Sequence, residues 1–408
     1  MPTTYKVVTG DTAASISRKQ FGTEAKAGLI YQANPGLAES TLTPGTEITI
    51  PKAPSLTPKT TDAASSTEVS ITVEGSRFRF WDNITFTLAA DAIPTVEFGA
   101  PMEPSNADFK RVFRPFSYYD VETFLGGSQL FAGTLVGIKP GSDAESSRVT
   151  ASCYGRPGVL NDCTMPASAF PLQFDGLTLK AIIEKAIAPF GLSAQFDADT
   201  GAVFDSVALE PGAKVWPFLA GLAKKRNLLL TSTAAGALRV WAPTASGQVV
   251  AKLADGQGPV VRITPFFSEQ DYYSHVTGLE PTIAGLAGSK FTVTNARLKG
   301  VVRPYTFQAE DTETGTVKTA VQSKISRMFA SAVSYSVEVD TWQRPDGSVY
   351  QPGDLIMLRA PRAMVYDWFT FMVRNIRFNA DARSRTATLN LVLPEAFTGA
   401  VPEAMPWD

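Results

Sequence analysis

Few residues in this sequence could carry out chemistry, and their types exclude most enzyme classes. The 408 residues include one histidine, His275, and two cysteines, Cys153 and Cys163. Zinc peptidases and amidases use more than one histidine ligand, and a cysteine peptidase needs a histidine base with a further polar group to orient it. Two carboxylates could still hydrolyse a glycoside, but the strand-rich body predicted below lacks the helical lobes that house lysozyme-like sites. The sequence therefore predicts a protein that is not an enzyme, with no catalytic residue, no cofactor and no metal site.

Other polar and thiol groups each have a structural interpretation beside the chemical one. The acidic run Asp197–Gly201 resembles a calcium-binding loop, but it lacks most ligand positions and fits a surface turn. The basic run Lys224–Arg226 follows a predicted helix and either complements its dipole or binds phosphate. Cys153 and Cys163 either pair or remain two buried thiols, because two cysteines are too few for a disulfide scaffold. His275 fits a packed strand residue better than a ligand.

Two further segments could bind another molecule. Lys110, Arg111 and Arg114 are interleaved with aromatic residues, a mixture that suits nucleic acid or a protein interface. Because the net charge is -2 and the pI is near 5.7, a protein interface is favoured and sequence-specific nucleic-acid binding is not expected. The last residues, Met405–Asp408, are either a docking tail or a frayed end.

The sequence shows no segment for a membrane or for secretion. No apolar run approaches the length needed to span a bilayer. The N-terminus lacks a basic segment followed by an apolar core and a cleavage site of small residues. We therefore expect a protein that is made in the cytosol and is not exported by the general route.

The first fifty residues predict a small β-α-α-β unit. A short β-rich run around Val7 precedes Asp11 and Thr12, either of which can cap a following helix. A second helix is predicted over Thr23–Ala33, and it ends because the residue before a proline is disfavoured in helical conformation. The alternating residues of Ile48–Ile50 predict a strand that pairs with the first.

This unit resembles a complete LysM module. In LysM modules that bind sugar, the groove lies between the loop before the first helix and the loop after the second. Those loops correspond here to Gly10, Asp11, Thr12, Asn34, Pro35, Gly36 and Leu37. The resemblance implies that these residues bind peptidoglycan or another glycan, or dock onto a protein. The alternative is that Asp11 and Thr12 only cap a helix and that Asn34–Pro35 only ends one.

The residues that follow predict a linker and an antiparallel β domain. Residues 53–67 are rich in Pro, Ser and Thr and are typical of a linker. Alternating apolar residues begin at Val69 and recur up to Leu88, and a second set surrounds a hairpin turn at Gly126–Gly127. A further strand is predicted over Ser147–Tyr154. Short strands with tight turns favour a barrel, because a barrel hides the strand edges.

A mixed α/β segment and a second β domain complete the chain. Apolar residues from Leu179 to Phe190 form a helical stripe that Thr178 can cap, and a hairpin follows over Leu228–Trp241. Apolar and polar residues alternate again from Val333, after a short helix predicted over Lys318–Met328. The predicted fold is α+β and multidomain: a LysM module (1–52), a linker (53–67), two antiparallel β-barrel-like domains (68–164 and 251–408) and a mixed α/β domain between them (165–250).

The order of these segments carries a second resemblance, to baseplate hub proteins of contractile phage tails in the Mu-like tail protein P and late-control protein D group. The matching segments are Ser146–Gly158, Leu179–Leu192, Pro211–Trp216, Lys225–Leu230 and Gln351–Leu358. The resemblance implies a homotrimer in the virion tail baseplate, assembled in the host cytoplasm. Its expected partners are the tail tube protein, the central spike protein and baseplate wedge or sheath proteins. The LysM module would then be an assembly clamp, and the alternative is a LysM-targeted protein that binds or degrades peptidoglycan.

Overall fold

The computed structural model describes residues 3–21, 30, 33–34, 37, 42–50, 68–78, 81–142, 147–280, 288–309, 317–381, 384–397 and 401–408. The chain divides into two compact units, residues 1–63 and residues 64–408. The predicted linker 53–67 lies outside the described residues. Among the helices within these ranges, none is both long and apolar enough to cross a membrane.

The first unit contains an antiparallel strand pair and a helix. Strand β1 (Thr3–Lys6) pairs with β2 (Glu47–Ile50), which confirms the predicted pairing of the first strand with the last. Helix α1 spans Ala13–Phe21. The buried apolar residues of this unit are Val7, Ala13, Ile16, Ile30, Leu42, Ile48 and Ile50. Most of the second predicted helix, Thr23–Ala33, lies outside the described residues, although Ile30 and Ala33 are helical.

One continuous sheet of 13 strands organises the second unit. Its strands are β3 (Val69–Val73), β4 (Ser76–Phe78), β5 (Asn83–Ala89), β6 (Thr95–Pro101), β7 (Asp120–Leu125), β8 (Ser128–Ser142), β9 (Ser147–Gly155), β13 (Val249–Ala254), β14 (Val260–Phe267), β18 (Val333–Val339), β19 (Leu355–Ala360), β20 (Val365–Asp381) and β21 (Arg385–Val392). Their spatial order is β14-β18-β21-β20-β5-β6-β9-β8-β7-β3-β4, and β19 pairs with both β13 and β20.

This sheet joins the two regions that the sequence predicts as separate β-barrel-like domains. Strand β5 of the first region pairs antiparallel with β20 of the second, from Asn83 opposite Asp381 to Ala89 opposite Asn375. One apolar core also runs through both regions. Alternation along a strand predicts which face is buried, but it does not say which distant strand is the neighbour. The two predicted β domains are therefore one hydrogen-bonded body.

Four aromatic side chains, from both β regions, pack together at this junction. Phe86 on β5 contacts Trp342, whose ring centroid lies 5.6 Å away at 82°. Trp342 in turn lies 5.1 Å from Phe378 on β20, and Phe86 lies 6.5 Å from Phe131. The indole nitrogen of Trp342 donates hydrogen bonds to two backbone carbonyls, so its polar group is satisfied although the residue is buried.

The mixed α/β segment follows the sequence prediction closely. Helix α4 (Leu179–Ile187) has Thr178 as its N-cap, and its buried residues form the predicted stripe. Helix α5 spans Val215–Lys225. The predicted hairpin is present as β11 (Leu229–Ser232) and β12 (Leu238–Trp241), and β12 also pairs in parallel with β10 (Ala194–Phe196).

The β11–β12 hairpin attaches this segment to the large sheet. The buried indole of Trp241 donates a 3.0 Å hydrogen bond to the carbonyl of Ala90. The hydroxyl of Thr231 on β11 donates to the carbonyls of Ala89 and Ala92, at 3.0 Å and 2.8 Å. A side chain at Gly353 would meet the Trp241 ring at 2.7 Å, so this position requires the absence of a Cβ. The segment is thus held against β5 and against the loop before β19.

The remaining elements complete the second unit. A small sheet places β15 (His275–Leu279) between β16 (Lys290–Thr294) and β17 (Pro304–Gln308). Helix α6 (Val317–Ala332) contains the short helix predicted over Lys318–Met328 and packs on this sheet, with Val321, Ile325 and Met328 buried. The second unit also contains two short helices, α2 (Ala107–Val112) and α3 (Val159–Asp162). Single 3-10 turns lie at Arg156–Gly158, Ala167–Ala169, Ala188–Phe190, Pro361–Ala363 and Pro394–Phe397.

Candidate functional site

In the first unit, Asp11 is the centre of a polar network. Its carboxylate accepts hydrogen bonds from the Tyr5 hydroxyl at 2.8 Å and from the Val8 amide at 2.9 Å. The Lys19 ammonium contacts the other carboxylate oxygen at 2.6 Å, while the Asp11 side chain is only 2% exposed. Asp11 therefore ties β1, the following loop and α1 together. It does so without acting as the predicted helix cap.

The same contacts set the charge state of Asp11. The hydrogen bond from Lys19, and then that from the Val8 amide, lower the pKa of Asp11 from 3.8 to about 2. The pKa of Lys19 is raised by the same hydrogen bond to Asp11. Both groups are ionised near neutral pH and directed toward each other, so the carboxylate is already occupied within the fold.

Thr12 is the residue that caps α1. Its side-chain oxygen accepts from the Ser15 amide at 3.1 Å, and its own amide donates to the Ser15 hydroxyl at 2.9 Å. This reciprocal pair has the geometry of a capping box, with Ser15 at the position where Glu or Gln is usual. Of the two caps that the sequence allows, the structure selects Thr12.

Asn34 joins the second helical region to β2. Its amide group donates to the Thr49 carbonyl at 2.7 Å, and its carbonyl oxygen accepts from the Thr49 amide at 2.8 Å. The Asn34 side chain also donates to the carbonyl of Ile30 at 2.7 Å, which satisfies a carbonyl at the end of the helix. The predicted role of Asn34 as a helix stop is therefore joined by a second role, that of a link to the strand pair.

The other loop residues differ in what the structure shows. Gly10 has a φ of 87°, which explains the need for glycine there. The amide of Leu37 donates to the carbonyl of Asn34 at 3.0 Å, and its side chain is half-buried. Pro35 and Gly36 lie outside the described residues. Val8, which sequence reasoning did not select, is 52% exposed and lies in the loop that holds Asp11.

The residues considered for catalysis do not come together. His275 begins β15 as a strand residue, but its side chain is exposed, so the prediction that it is packed is wrong. Cys153 is a buried free thiol and Cys163 a half-buried one. Asp197 directly follows β10 and forms an ion pair with Arg239 at 2.5 Å. Within the described residues, no group of three or more His, Cys, Asp or Glu side chains could hold a metal ion.

The basic run after α5 is used inside the fold. The Arg226 guanidinium donates to the carbonyl of Ala202 at 2.6 Å and stacks on the Phe204 ring, 4.5 Å from its centroid. This arrangement fixes the end of α5 against the loop that carries Phe204. Arg226 has a structural role, which weighs against the phosphate interpretation of Lys224–Arg226.

Two family models match separate parts of this fold. Residues 5–51 match the LysM domain. Residues 157–242, which contain α4, α5 and the β11–β12 hairpin, match "Baseplate hub protein gp44-like, second domain". The chain carries a LysM domain and a gp44-like hub domain. Both resemblances drawn from the sequence are thereby confirmed.

Individual proteins extend the similarity beyond these domains. The chain is 23% identical to the baseplate hub protein gp44 of Escherichia phage Mu over 315 residues, which cover 73% of this chain and 80% of that protein. The fold is similar to that of a 43 kDa tail protein of prophage MuSo2 from Shewanella oneidensis, with a TM-score of 0.70, 22% identity, and 81% and 99% of the two chains covered. A tail protein from Neisseria meningitidis MC58 gives a TM-score of 0.67 at 19% identity, covering 80% and 98%. These relatives are structural tail proteins and not enzymes, which agrees with the prediction that the chain is not an enzyme.

The C-terminal segment packs within the second unit, so it is neither the docking tail nor the frayed end that the sequence allows. Trp407 meets Phe267 of β14 edge-on, with ring centroids 5.3 Å apart, and Met405 is buried. Arg297 binds the carboxylate of Asp408 at 2.6 Å. The segment is not frayed, and its aromatic residue packs on a strand that the sequence analysis did not assign. Beside it lies a cleft of about 670 Å³ whose lining includes Phe267, Met405 and Trp407.

A second surface that sequence reasoning only partly found lies between α2 and β8. Phe116 and Tyr118 are two of the aromatic residues interleaved with Lys110, Arg111 and Arg114, but the sequence does not show that their side chains face solvent. Phe116 is 90% exposed and Tyr118 is 63% exposed. Their neighbours Phe109 and Phe113 point the other way, into the core. The residue types of this segment carry no signal that separates the exposed aromatics from the buried ones.

Proposed function

We propose that the protein is a structural hub of the baseplate in a contractile phage tail or tail-like particle. In this proposal it assembles as a homotrimer in the host cytoplasm and joins the tail tube protein to the central spike protein. Baseplate wedge or sheath proteins are its outer neighbours. The gp44-like hub domain and the 23% identity to the Mu baseplate hub protein support this assignment.

The observation that carries the proposal is the pairing of β5 with β20. This pairing makes one body of two β regions that flank the gp44-like hub domain in the chain. Three copies of such a body would present six β regions around one axis, which suits the joining of a threefold spike to a sixfold tube. Because the two regions share a sheet and a core, they would keep a fixed spacing under mechanical load.

The oligomeric state tests this proposal directly. Residues 64–408 form one compact unit, so a truncated protein with these residues should fold and form the trimer. The truncation must keep residues 401–408, because Met405 and Trp407 pack within the unit. Mass measurement in solution, alone and with the spike protein, reports the stoichiometry. A monomer under both conditions would overturn the hub proposal.

We assign the LysM domain a role as an assembly clamp that docks onto neighbouring baseplate or sheath proteins. The contacts of Asp11, Thr12 and Asn34 support this role, because each of these loop side chains is already bound within the domain. Deleting residues 1–52 should then reduce the yield of assembled particles while residues 64–408 remain folded. Particles that assemble normally but no longer attach to the cell wall would exclude the clamp.

Peptidoglycan binding is the alternative role of the LysM domain, and the exposure of Val8 beside the Asp11 loop is the observation that favours it. Sedimentation of the full-length protein with purified peptidoglycan compares the two roles. The variant Val8→Lys keeps the buried contacts and alters only this exposed position. Val203→Lys, at a similarly exposed valine in the hub domain, is the matched control. If Val8→Lys no longer binds peptidoglycan while Val203→Lys still does, the LysM domain has a glycan-binding role and the clamp proposal is wrong.

A further inference from the structure

A small cleft beside Phe116 and Tyr118 has the features of a docking surface, which we call the Phe116 surface. Its walls are the loop Pro115–Tyr118 and the segment Leu135–Ile138 of β8, and its volume is about 300 Å³. Phe116 is 90% exposed, a large apolar area that gains nothing from the fold of this chain. Val136, on the opposite wall, is also exposed. Exposed aromatic residues beside a cleft are typical anchors of protein interfaces.

The backbone holds these aromatic residues in an unfavourable conformation. Phe116 has a φ of 61° and Tyr118 a φ of 50°, in the left-handed region that bulky residues rarely adopt. On its N-terminal side the loop Pro115–Tyr118 is anchored by Phe113, which packs in the core against Phe78 with ring centroids 5.4 Å apart. It ends where the Leu135 amide donates to the Tyr119 carbonyl at 2.9 Å. Such strain persists where the surrounding structure enforces it, and it is concentrated at binding sites.

The opposite wall departs from regular strand geometry at the same place. The register of β8 against β9 shifts between Leu135 and Gly137, so a bulge turns Val136 outward into the cleft. The hydroxyl oxygen of Ser117 is buried and has no hydrogen-bond partner. A buried polar atom without a partner is costly, so the loop wall is unfavourable in its hydrogen bonding as well as in its backbone. Both walls are therefore shaped for a contact that the chain itself does not make.

The charges around the cleft indicate the chemistry of the partner. Arg114 immediately precedes one wall and Lys139 immediately follows the other, and both are exposed, as is Lys110 on α2. Among the described residues, Arg111 is the cation of this group that has an acidic partner, Asp108 at 3.8 Å. Asp120, which begins β7 after the loop, already faces Arg156 at 3.8 Å. The rim is therefore positive, and it complements carboxylates.

We propose that the Phe116 surface binds a peptide segment of another protein in which an apolar side chain is flanked by carboxylates. The apolar side chain enters the cleft against Phe116, Tyr118 and Val136. Carboxylates on either side of that side chain meet Arg114 and Lys139. This site is separate from the LysM domain, and its existence does not depend on the trimer.

A selection of short random peptides on the full-length protein tests the proposal. Peptides are kept if they bind the wild type and discarded if they bind Phe116→Gly, and the survivors are synthesised and measured by fluorescence anisotropy. We expect the survivors to contain an apolar residue between Asp or Glu residues. Phe116→Gly should weaken their binding by about tenfold or more, as at an interface hot spot. Exchange of Arg114 and Lys139 for Gln should lower the affinity and reduce its dependence on salt.

The controls separate binding from folding. Glycine relieves the positive φ at position 116, so Phe116→Gly should unfold at the same temperature as the wild type or higher. Met364→Gly is the matched control, because Met364 is also exposed and has a φ of 62°. The proposal is overturned if no peptide survives the selection, if the survivors are basic, or if Met364→Gly weakens binding equally. It is also overturned if Phe116→Gly changes the oligomeric state or abolishes binding to an oligonucleotide, since a second copy or nucleic acid would then be the occupant.

Discussion

The ring of Phe86 on β5 meets the indole of Trp342 nearly edge-on, with centroids 5.6 Å apart at 82°, across the junction between the two β regions. The two residues are far apart in the chain, and neither of them is exposed. Their contact covers the place where β5 and β20 pair, so the packing and the hydrogen bonds of the junction support each other. The two β regions are therefore joined here by backbone hydrogen bonds and by ring packing.

Removing the Trp342 side chain should therefore destabilise the whole second unit. We expect Trp342→Ala to lower the free energy of unfolding by about 3–5 kcal/mol, because a large buried ring leaves a cavity. Calorimetry of the full-length protein measures the loss as a lower melting temperature for the transition of this unit. Trp368→Ala, at an exposed tryptophan of β20, should shift that transition little. An equal shift in both variants would contradict the role of the junction.

The stability of the LysM domain should depend on pH through Asp11. Its pKa in the folded domain is about 2, lower than the ordinary 3.8, so the ionised carboxylate stabilises the fold. This stabilisation is fully present above about pH 4 and is lost as the pH falls toward about 2. The NMR signal of the buried Ile16 methyl group during urea titration reports it. Asp11→Asn should have a lower urea midpoint at neutral pH and little further change in this acidic range, whereas parallel acid sensitivity in both proteins would exclude Asp11 as the cause.

The C-terminal segment should behave as part of the second unit. Trp407→Ala removes the edge-on contact with Phe267 and should lower the free energy of unfolding by about 1–3 kcal/mol. Hydrogen exchange should then speed up in β14 and in the segment around Arg297, which binds Asp408. Val302→Ala, at a valine that is 85% exposed, is the control for a surface change. Unchanged exchange in β14 would show that the segment adds no stability.

His275 should be dispensable, and the protein should not degrade peptidoglycan. The side chain is exposed and its ring contacts the Ser274 hydroxyl at 2.9 Å, so His275→Ala should change the free energy of unfolding by no more than about 0.5 kcal/mol. Incubation of the full-length protein with peptidoglycan should release neither reducing sugars nor free amines above background. Release that disappears when one Asp or Glu is replaced would establish an enzyme instead.

Local features of the fold could be predicted from the sequence because neighbouring residues determine them. The cap at Thr178, the stripe of α4 and the turn at Gly347 follow from residues within a few positions of one another. The pairing of β5 with β20 could not be predicted, because many alternating strands fit either neighbour equally well. The packing of Trp407 was missed for the same reason, since its partner Phe267 lies on a strand without a clear alternating pattern.

For the candidate site, as for the fold, the sequence predicts local features but not the contacts between residues that are distant in the chain. The sequence places Asp11 and Thr12 in one loop and shows that either could cap α1. It does not show that Lys19 reaches back to Asp11, because both capping and ion pairing suit an aspartate at this position. For Phe116 and Tyr118 the sequence predicts buried aromatics as readily as exposed ones. In the structure both residues have positive φ values and face solvent, and nothing in the residue types requires those values.

Two arginine–aspartate pairs of similar geometry should differ greatly in their contribution to stability. Arg344 binds both carboxylate oxygens of Asp354, at 2.8 Å and 2.6 Å, and burial raises the pKa of Asp354. Arg362 binds both oxygens of Asp255, at 2.6 Å and 2.7 Å, but the Arg362 side chain is 80% exposed. Arg344→Met should lower the free energy of unfolding by about 3–5 kcal/mol, because a buried carboxylate loses its partner, whereas Arg362→Met should cost no more than about 1 kcal/mol.

Acid should partly reverse the effect of Arg344→Met. Without the guanidinium, the pKa of Asp354 in the folded protein rises further above its value in the unfolded chain, so the ionised form destabilises the fold. This loss of stability is largest when the pH is above the pKa of Asp354 in the folded protein. It disappears when the pH falls below 3.8, the ordinary pKa of the group, because Asp354 is then protonated in both states. The gap in melting temperature between wild type and Arg344→Met should therefore narrow on acidification. The gap for Arg362→Met should also narrow, because Arg362 lowers the pKa of Asp255, but it is small at every pH. A gap for Arg344→Met that is independent of pH would mean that the variant loses packing and not charge compensation.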